Sequence, residues 1–203
     1  MKIICIGRNY AEHAKELNNP VNENPVIFMK PESARLVARQ PFFIPELPGQ
    51  IHYEAEIVVK INRLGKNIQE KFAHRYYDEV TIGIDFTARE VQSELKSKGL
   101  PWELAKSFDG SAAVGTFMSL KEAGDITSIN FSLDKNGAKV QKGTTADMIF
   151  PVNSIIAYVS KYFTLKKGDI IFTGTPKGVG PVAEGDVLEG YIGERKLLSV
   201  KVK

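Results

Sequence analysis

Apolar and polar positions change period repeatedly along the chain, and the changes divide it into short elements. Lys2 to Ile6 is an apolar run of strand length; from Tyr10 to Leu17 the period lengthens, with Tyr10, Ala14 and Leu17 at helical spacing. Asn18 to Pro25 is dense in Asn and Pro and predicts an exposed loop. Val26 to Met29 resumes as strand and ends at Lys30-Pro31. The clearest alternation runs from His52 to Asn62, where Tyr53, Ala55, Ile57, Val59 and Ile61 fall on one face and His52, Glu54 and Glu56 on the other. Gln69 to Glu79 is expected to be helical, Val80 to Phe86 a strand, and Thr87 to Lys98 a helix with a hydroxyl at its N-cap. Asp134-Lys135-Asn136-Gly137 separates two strand-like runs as a hairpin turn would, and Val152 to Phe163 predicts a helix entered through Pro151. Beyond it, strands are punctuated by Gly168-Asp169 and Gly185-Asp186. Without a βαβ rhythm, these elements predict a mixed α/β, β-rich and largely antiparallel fold rather than a doubly wound sheet.

Composition narrows the class. A chain of 203 residues is expected to form a single domain, 1–203, and 25% charged with 43% hydrophobic residues fits neither disorder nor a membrane protein. The 27 basic residues outnumber the 24 acidic ones only slightly and are scattered, so nucleic acid is not an expected partner. Met1 to Ile6 is too short for the hydrophobic region of a secretory signal, and no apolar stretch is long enough for a membrane helix. Cys5 is the one cysteine, which leaves no intramolecular disulfide and no cysteine zinc cluster. It reads as a small buried hydrophobe, and a reducing cytoplasm is the expected setting.

Candidate chemistry lies at three places. Glu54 and Glu56, two apart on a strand, aim both carboxylates to one side at a separation suited to a cation, although for such a pair taken alone a solvated strand face is the plainer reading. Asp85 ends a short apolar strand, where a carboxylate is costly unless exposed, paired or metal-bound, and so is the natural third ligand. Three hard oxygen donors point to Mg²⁺ or Mn²⁺ rather than zinc. His52 shares their face and is expected to be supporting or structural; His74 is expected at the surface. His13 and Glu16, three apart on the first helix, can hydrogen-bond as a general-base pair, with an exposed histidine among charged residues as the plainer reading. The run Gly174-Thr175-Pro176-Lys177-Gly178-Val179-Gly180 lacks the ending of a P-loop, and is either a plain turn or a tight loop presenting Thr175 to a small anion.

In order, Gly7-Arg8-Asn9-Tyr10, Phe28-Met29-Lys30-Pro31, His52-Tyr53-Glu54-Ala55-Glu56, Gly83-Ile84-Asp85-Phe86-Thr87-Ala88-Arg89, Lys106-Ser107-Phe108-Asp109-Gly110 and the Gly174 to Gly180 run resemble the fumarylacetoacetate hydrolase family nearly end to end. They are most similar to its short members, the acylpyruvate hydrolases and oxaloacetate decarboxylases, since the first motif begins almost at residue one. The resemblance implies a rolled mixed β-sheet with a few short helices, often paired as a homodimer, and Mg²⁺ or Mn²⁺ held by Glu54, Glu56 and Asp85. It further implies His13 and Glu16 as a catalytic dyad with Lys106 beside them, and Arg89, Gln92 and Thr175 around the substrate; Arg8 and Lys30 are left between functional and structural roles. The implied activity is cleavage of a carbon–carbon bond in a short 2-oxo acid, by acylpyruvate hydrolysis or oxaloacetate decarboxylation, through an enolate. The alternatives are an isomerase or decarboxylase of 2-hydroxyhepta-2,4-diene-1,7-dioate and a non-catalytic 2-oxo acid binding protein. The loop composition also predicts that the segment from Ala14 to Asn24 closes over substrate and only then carries Glu16 to His13.

Overall fold

The computed structural model describes residues 1–16, 22–37 and 40–203. Leu17 and the first half of the expected loop, and with them the middle of the expected closing segment, lie outside the described residues.

In chain order the strands are β1 (Ile3–Gly7), β2 (Val26–Lys30), β3 (Ile51–Tyr53), β4 (Ala55–Ile61), β5 (Tyr77–Asp85), β6 (Thr87–Ala88) and β7 (Ala112–Val114). They continue as β8 (Met118–Ser119), β9 (Asn130–Lys135), β10 (Ala138–Thr144), β11 (Ile170–Phe172), β12 (Gly180–Pro181), β13 (Val187–Ile192) and β14 (Arg195–Lys201). The helices are α1 (Ala11–Glu16), α2 (Glu70–Ala73), α3 (Arg89–Ser97), α4 (Glu103–Lys106), α5 (Leu120–Ala123) and α6 (Val152–Tyr162). The largest sheet runs β2-β1-β11-β4-β5-β7, with β8 pairing to the start of β5; a second runs β10-β9-β13-β14 and a third β12-β3-β6. Only the β1–β11 pair is parallel among them, so the mixed, strand-rich expectation holds.

Strand burial explains the sequence pattern. Ile3, Ile4, Cys5 and Ile6 are all buried because β1 is an interior strand covered on both faces, which is why it reads as a continuous apolar run. Where β4 and β5 cross the core, Gly83 carries no side chain because a Cβ there would lie 2.6 Å from Phe172 and 2.8 Å from Val58. On α6, Val152, Ile155, Ile156 and Val159 form the buried stripe of an amphipathic helix. The expected hairpin is present between β9 and β10, with Asn136 and Gly137 at φ of 54° and 79°, as its two-residue turn requires. No helix among the described residues is long and apolar enough to cross a membrane.

Three expectations change. His52 to Asn62 is two strands: the chain leaves the small sheet after Tyr53 and enters the large one at Ala55, whose amide bonds to the Gln141 side chain at 2.8 Å. The helix expected over Gln69 to Glu79 is one turn, α2, and β5 starts at Tyr77. Pairing with β4 wins there, reinforced by a Lys60–Glu79 ion pair at 2.5 Å and by the Tyr77 hydroxyl on Asn153 at 2.9 Å. Thr87 is not an N-cap; it lies in β6, and α3 begins at Arg89 behind Ala88.

These connections gather one edge of the large sheet. The ends of β1, β5 and β11 and the start of β4 meet there, and α1, α3 and α4 border it.

Candidate metal centre and active site

Glu54 stands in the break between β3 and β4, Glu56 is the second residue of β4, and Asp85 is the last of β5. The Asp85 amide donates to the Glu54 carbonyl at 2.8 Å, which fixes the two strand ends to each other. Carboxylate oxygens of all three residues lie within 4.8 Å of one another. Their exposures of 5%, 2% and 0% rule out a solvated strand face.

Three buried or half-buried cations surround them. Lys106 Nζ donates to Glu54 Oε2 and Asp85 Oδ2 at 2.8 Å each and to the Thr87 hydroxyl at 2.6 Å. Arg89 Nη2 lies 2.5 Å from Glu54 Oε1, and Lys30 Nζ lies 2.7 Å from Asp85 Oδ1. Lys30 is held by the Lys106 carbonyl and by Ser111, whose hydroxyl accepts from it at 3.0 Å. Burial pushes the Glu54 carboxyl up, but Lys106 and Arg89 outweigh it and hold Glu54 well below the usual carboxylate range. The Lys106 ammonium, lowered by burial, is carried above its ordinary value by Asp85 and Glu54.

Glu56 differs. None of these cations pairs with it; it accepts from the Gly174 amide at 2.6 Å. Burial, then the charges of Asp85 and Glu54, push its carboxyl well above the usual range. A buried carboxylate crowded by two others and met by one amide is what a divalent cation would relieve, and the hard oxygen donors suit Mg²⁺ or Mn²⁺. Because the acid's affinity for protons is raised by folding, ionising it costs stability as pH rises above its unfolded value, unless a cation balances the charge. Mg²⁺ is therefore expected to raise the melting temperature more at pH 8 than at pH 5.5. Equal shifts at both pH values would remove Glu56 from the ligand set.

The dyad is assembled. His13 is 6% exposed, so the surface reading fails, and its Nδ1 lies 3.1 Å from Glu16 Oε2. Glu16 in turn accepts from the Gly178 amide at 3.1 Å, which joins α1 to the glycine-rich loop. The contact expected only on closure of a segment is thus present here. Gly174, at φ 99°, packs where a Cβ would be 2.6 Å from Asn9, and this lets its amide reach Glu56. Thr175 is buried and accepts from Gln141 Nε2 at 3.0 Å.

His13, Glu54, Glu56, Asp85, Arg89, Gln92, Lys106 and Thr175 line one cleft. Every expected site residue except Glu16 faces it, and Glu16 reaches it through His13. Arg89 is shared between Glu54 and Gln92, whose Oε1 accepts at 2.6 Å. His52 stays outside the triad, half-buried beside Arg89 Nε at 3.4 Å, and burial and then that cation hold it below its ordinary pKa. His74 is exposed and Cys5 buried, as expected. Sequence reading missed Gln141, which ties β4 to the Thr175 loop, and the role of Thr87 as an acceptor for Lys106. Gln141 sits among lysines in a strand that looks solvent-facing, so nothing local marks it.

The match to the fumarylacetoacetate (FAA) hydrolase C-terminal family runs from residue 2 to residue 202, and the chain belongs to that enzyme family. Among particular relatives, it is 44% identical over 188 residues to the oxaloacetate tautomerase YcgM of Escherichia coli, covering 92% of this chain and 86% of that one. It is 43% identical over 201 residues to the mitochondrial oxaloacetate tautomerase FAHD1 of Mus musculus, covering 99% and 91%. The crystal structure of fumarylpyruvate hydrolase from Pseudomonas aeruginosa in complex with Mn²⁺ and pyruvate superimposes with a TM-score of 0.91 at 35% identity, covering 100% of this chain and 89% of that one.

Proposed function

We propose that the protein is a Mg²⁺- or Mn²⁺-dependent enzyme that acts on the carbon skeleton of a short 2-oxo acid. The observation that carries this reading is the convergence of three buried carboxylates, a histidine–carboxylate dyad and a buried lysine on one cleft. Glu54, Glu56 and Asp85 would hold the cation, which when bound supplies Lewis-acid stabilisation of charge on a substrate oxygen. Lys106 adds a fixed positive charge at the same place, in surroundings poor in water. Glu16 accepts from His13 Nδ1, so the ring's Nε2 is left to take or return a proton.

Two reactions suit these residues. In carbon–carbon cleavage, His13 would deprotonate the water that attacks a distal acyl carbonyl, while Lys106 faces the negative charge left on the keto oxygen. The Mn²⁺- and pyruvate-bound fumarylpyruvate hydrolase supports this reading. In tautomerisation, which the sequence reading raised only as the isomerisation of a 2-hydroxydienedioate, the same base would move a proton between carbon and oxygen of the keto and enol forms. The two tautomerase relatives, aligned over more than nine-tenths of this chain, support it.

The test is a panel of acetylpyruvate, fumarylpyruvate and oxaloacetate with Mg²⁺, Mn²⁺ or EDTA, following tautomerisation as well as cleavage. Turnover is expected only with metal; full turnover in excess EDTA, or none on any member, would refute the proposal. His13→Ala is expected to slow acylpyruvate hydrolysis by about 10²- to 10⁴-fold and oxaloacetate decarboxylation far less, since no water is activated in the second. Parallel loss of both would overturn that division.

A further inference from the structure

Lys139 and Lys142 of β10 are exposed, yet Gln141 beside them is 1% exposed. The pairing of β10 with β9 slips by one residue here: Lys139 faces Asp134 and Gln141 faces Leu133, so Val140 is the extra residue of a β-bulge. Bulges of this kind re-aim a side chain, and this one turns Gln141 into the molecule, towards the glycine-rich loop. The loop comes close enough to meet it because Gly178, at φ 95°, has no Cβ; one there would lie 2.6 Å from the Val140 carbonyl.

Both ends of the Gln141 amide have partners, and these fix which way round the group stands. The Ala55 backbone N–H can only donate, so the atom 2.8 Å from it is Oε1. The Pro176 carbonyl can only accept, so the atom 3.0 Å from it is Nε2. Nε2 has a second proton, which goes to Thr175 Oγ1 at 3.0 Å. The Thr175 hydroxyl is thereby made an acceptor towards Gln141, and its own proton has to be donated elsewhere. Its acceptor among the described residues is the same Pro176 carbonyl at 3.5 Å, well outside the ordinary range of O–H···O bonds. Thr175 is 3% exposed and lines the cleft, so this proton is left for whatever binds there. Such a donor bonds most strongly to an ionised acceptor.

We propose that Gln141 is a positioning residue for ligand binding: it holds the Thr175 hydroxyl as a donor into the cleft, so that Thr175 bonds to an anionic oxygen of the ligand. Its other end ties that hydroxyl to Ala55, between Glu54 and Glu56, which keeps the donor in register with the carboxylates. The proposal rests on the 2-oxo acid reading of the cleft, in which the ligand brings the anionic oxygen.

Calorimetric titration of the Mg²⁺-loaded protein with oxalate and with pyruvate tests it without relying on turnover. Thr175→Val is expected to weaken oxalate binding by about 10- to 100-fold, the range for a hydrogen bond to a charged group, and Thr175→Ser to keep most of the wild-type affinity. In Gln141→Glu the side chain still accepts from Ala55, but its second oxygen takes the Thr175 proton, so a similar loss is expected. The added charge also acts on oxalate, and the double variant separates the two causes: in the Thr175→Val background, Gln141→Glu should cost almost nothing further. Gln141→Met, which releases the hydroxyl without reversing it, should lose less, and it can replace the glutamate variant in the same cycle. Losses that multiply in the double variants, or an oxalate affinity that Thr175→Val leaves unchanged, overturn the proposal and leave the 2-oxo acid reading standing. Failure of the wild type to bind either oxalate or pyruvate overturns both.

Discussion

Asp85→Asn is expected to weaken Mg²⁺ affinity by more than about 100-fold and to take turnover with it. Loss of an outer partner of a metal ligand alone costs about 10- to 100-fold, so loss of a ligand charge should exceed that. The same change strands Lys30, whose side chain is fully buried with Asp85 as its ion-pair partner at 2.7 Å. Removing one member of a buried pair typically costs about 3–5 kcal/mol, so the variant should also melt well below the wild type. Adding Lys30→Met separates the effects: the double variant should regain much of the lost stability, since both charges are now gone, but no metal affinity. Wild-type Mg²⁺ binding by Asp85→Asn would remove this residue from the ligand set.

Lys106→Met is expected to lower kcat by about 10²- to 10³-fold, the usual effect of deleting one donor to a developing oxyanion. Its effect on metal binding should have the opposite sign. Lys106 Nζ bonds to Glu54 and Asp85 at 2.8 Å each, where it would compete with a cation held by these carboxylates, so its removal should tighten Mg²⁺ binding even as activity falls. Titration of Mg²⁺ alongside steady-state kinetics reads both. Weakened metal binding together with lost activity would mean that Lys106 only supports the fold around the carboxylates.

How far the sequence carried depended on what kind of information each feature needs. Short apolar runs, a helical apolar stripe and the Asn136-Gly137 turn are local signals, and β1, β2, the β9–β10 hairpin and α6 were legible from them. The break at Glu54 was not, because Tyr53 through Ile61 keep strict alternation across it; the strand changes sheets without changing its pattern. Tyr77-Asp78-Glu79 carried helical and strand signals alike, and only pairing with β4, where Lys60 faces Glu79 and Ile61 faces Tyr77, decided between them. At the site, Glu54, Glu56 and Asp85 were suggested by costly placement of charge. His13, by contrast, looks like one polar residue in a charged helix; its spacing from Glu16 offered the dyad only as the less plain reading, and resemblance and then burial raised it. Lys106 stands in a one-turn helix with no periodicity to read, and the partners that give it meaning are 52, 21 and 19 positions away.

The lysine seated on the carboxylates has a consequence for how the protein comes into being. Zinc fingers must wait for their ion because nothing else organises the ligands. Here the chain brings internal countercharges for the site, in Lys106, Lys30 and Arg89, before any ion arrives. Folding can thus run ahead of metal supply, and if the carboxylates hold a divalent ion, its loading would be an exchange with a tethered ammonium. Such a site would be refillable: an ion could leave and return without the chain unravelling. Which divalent ion it carried would then follow the free concentrations around it more than any event at synthesis.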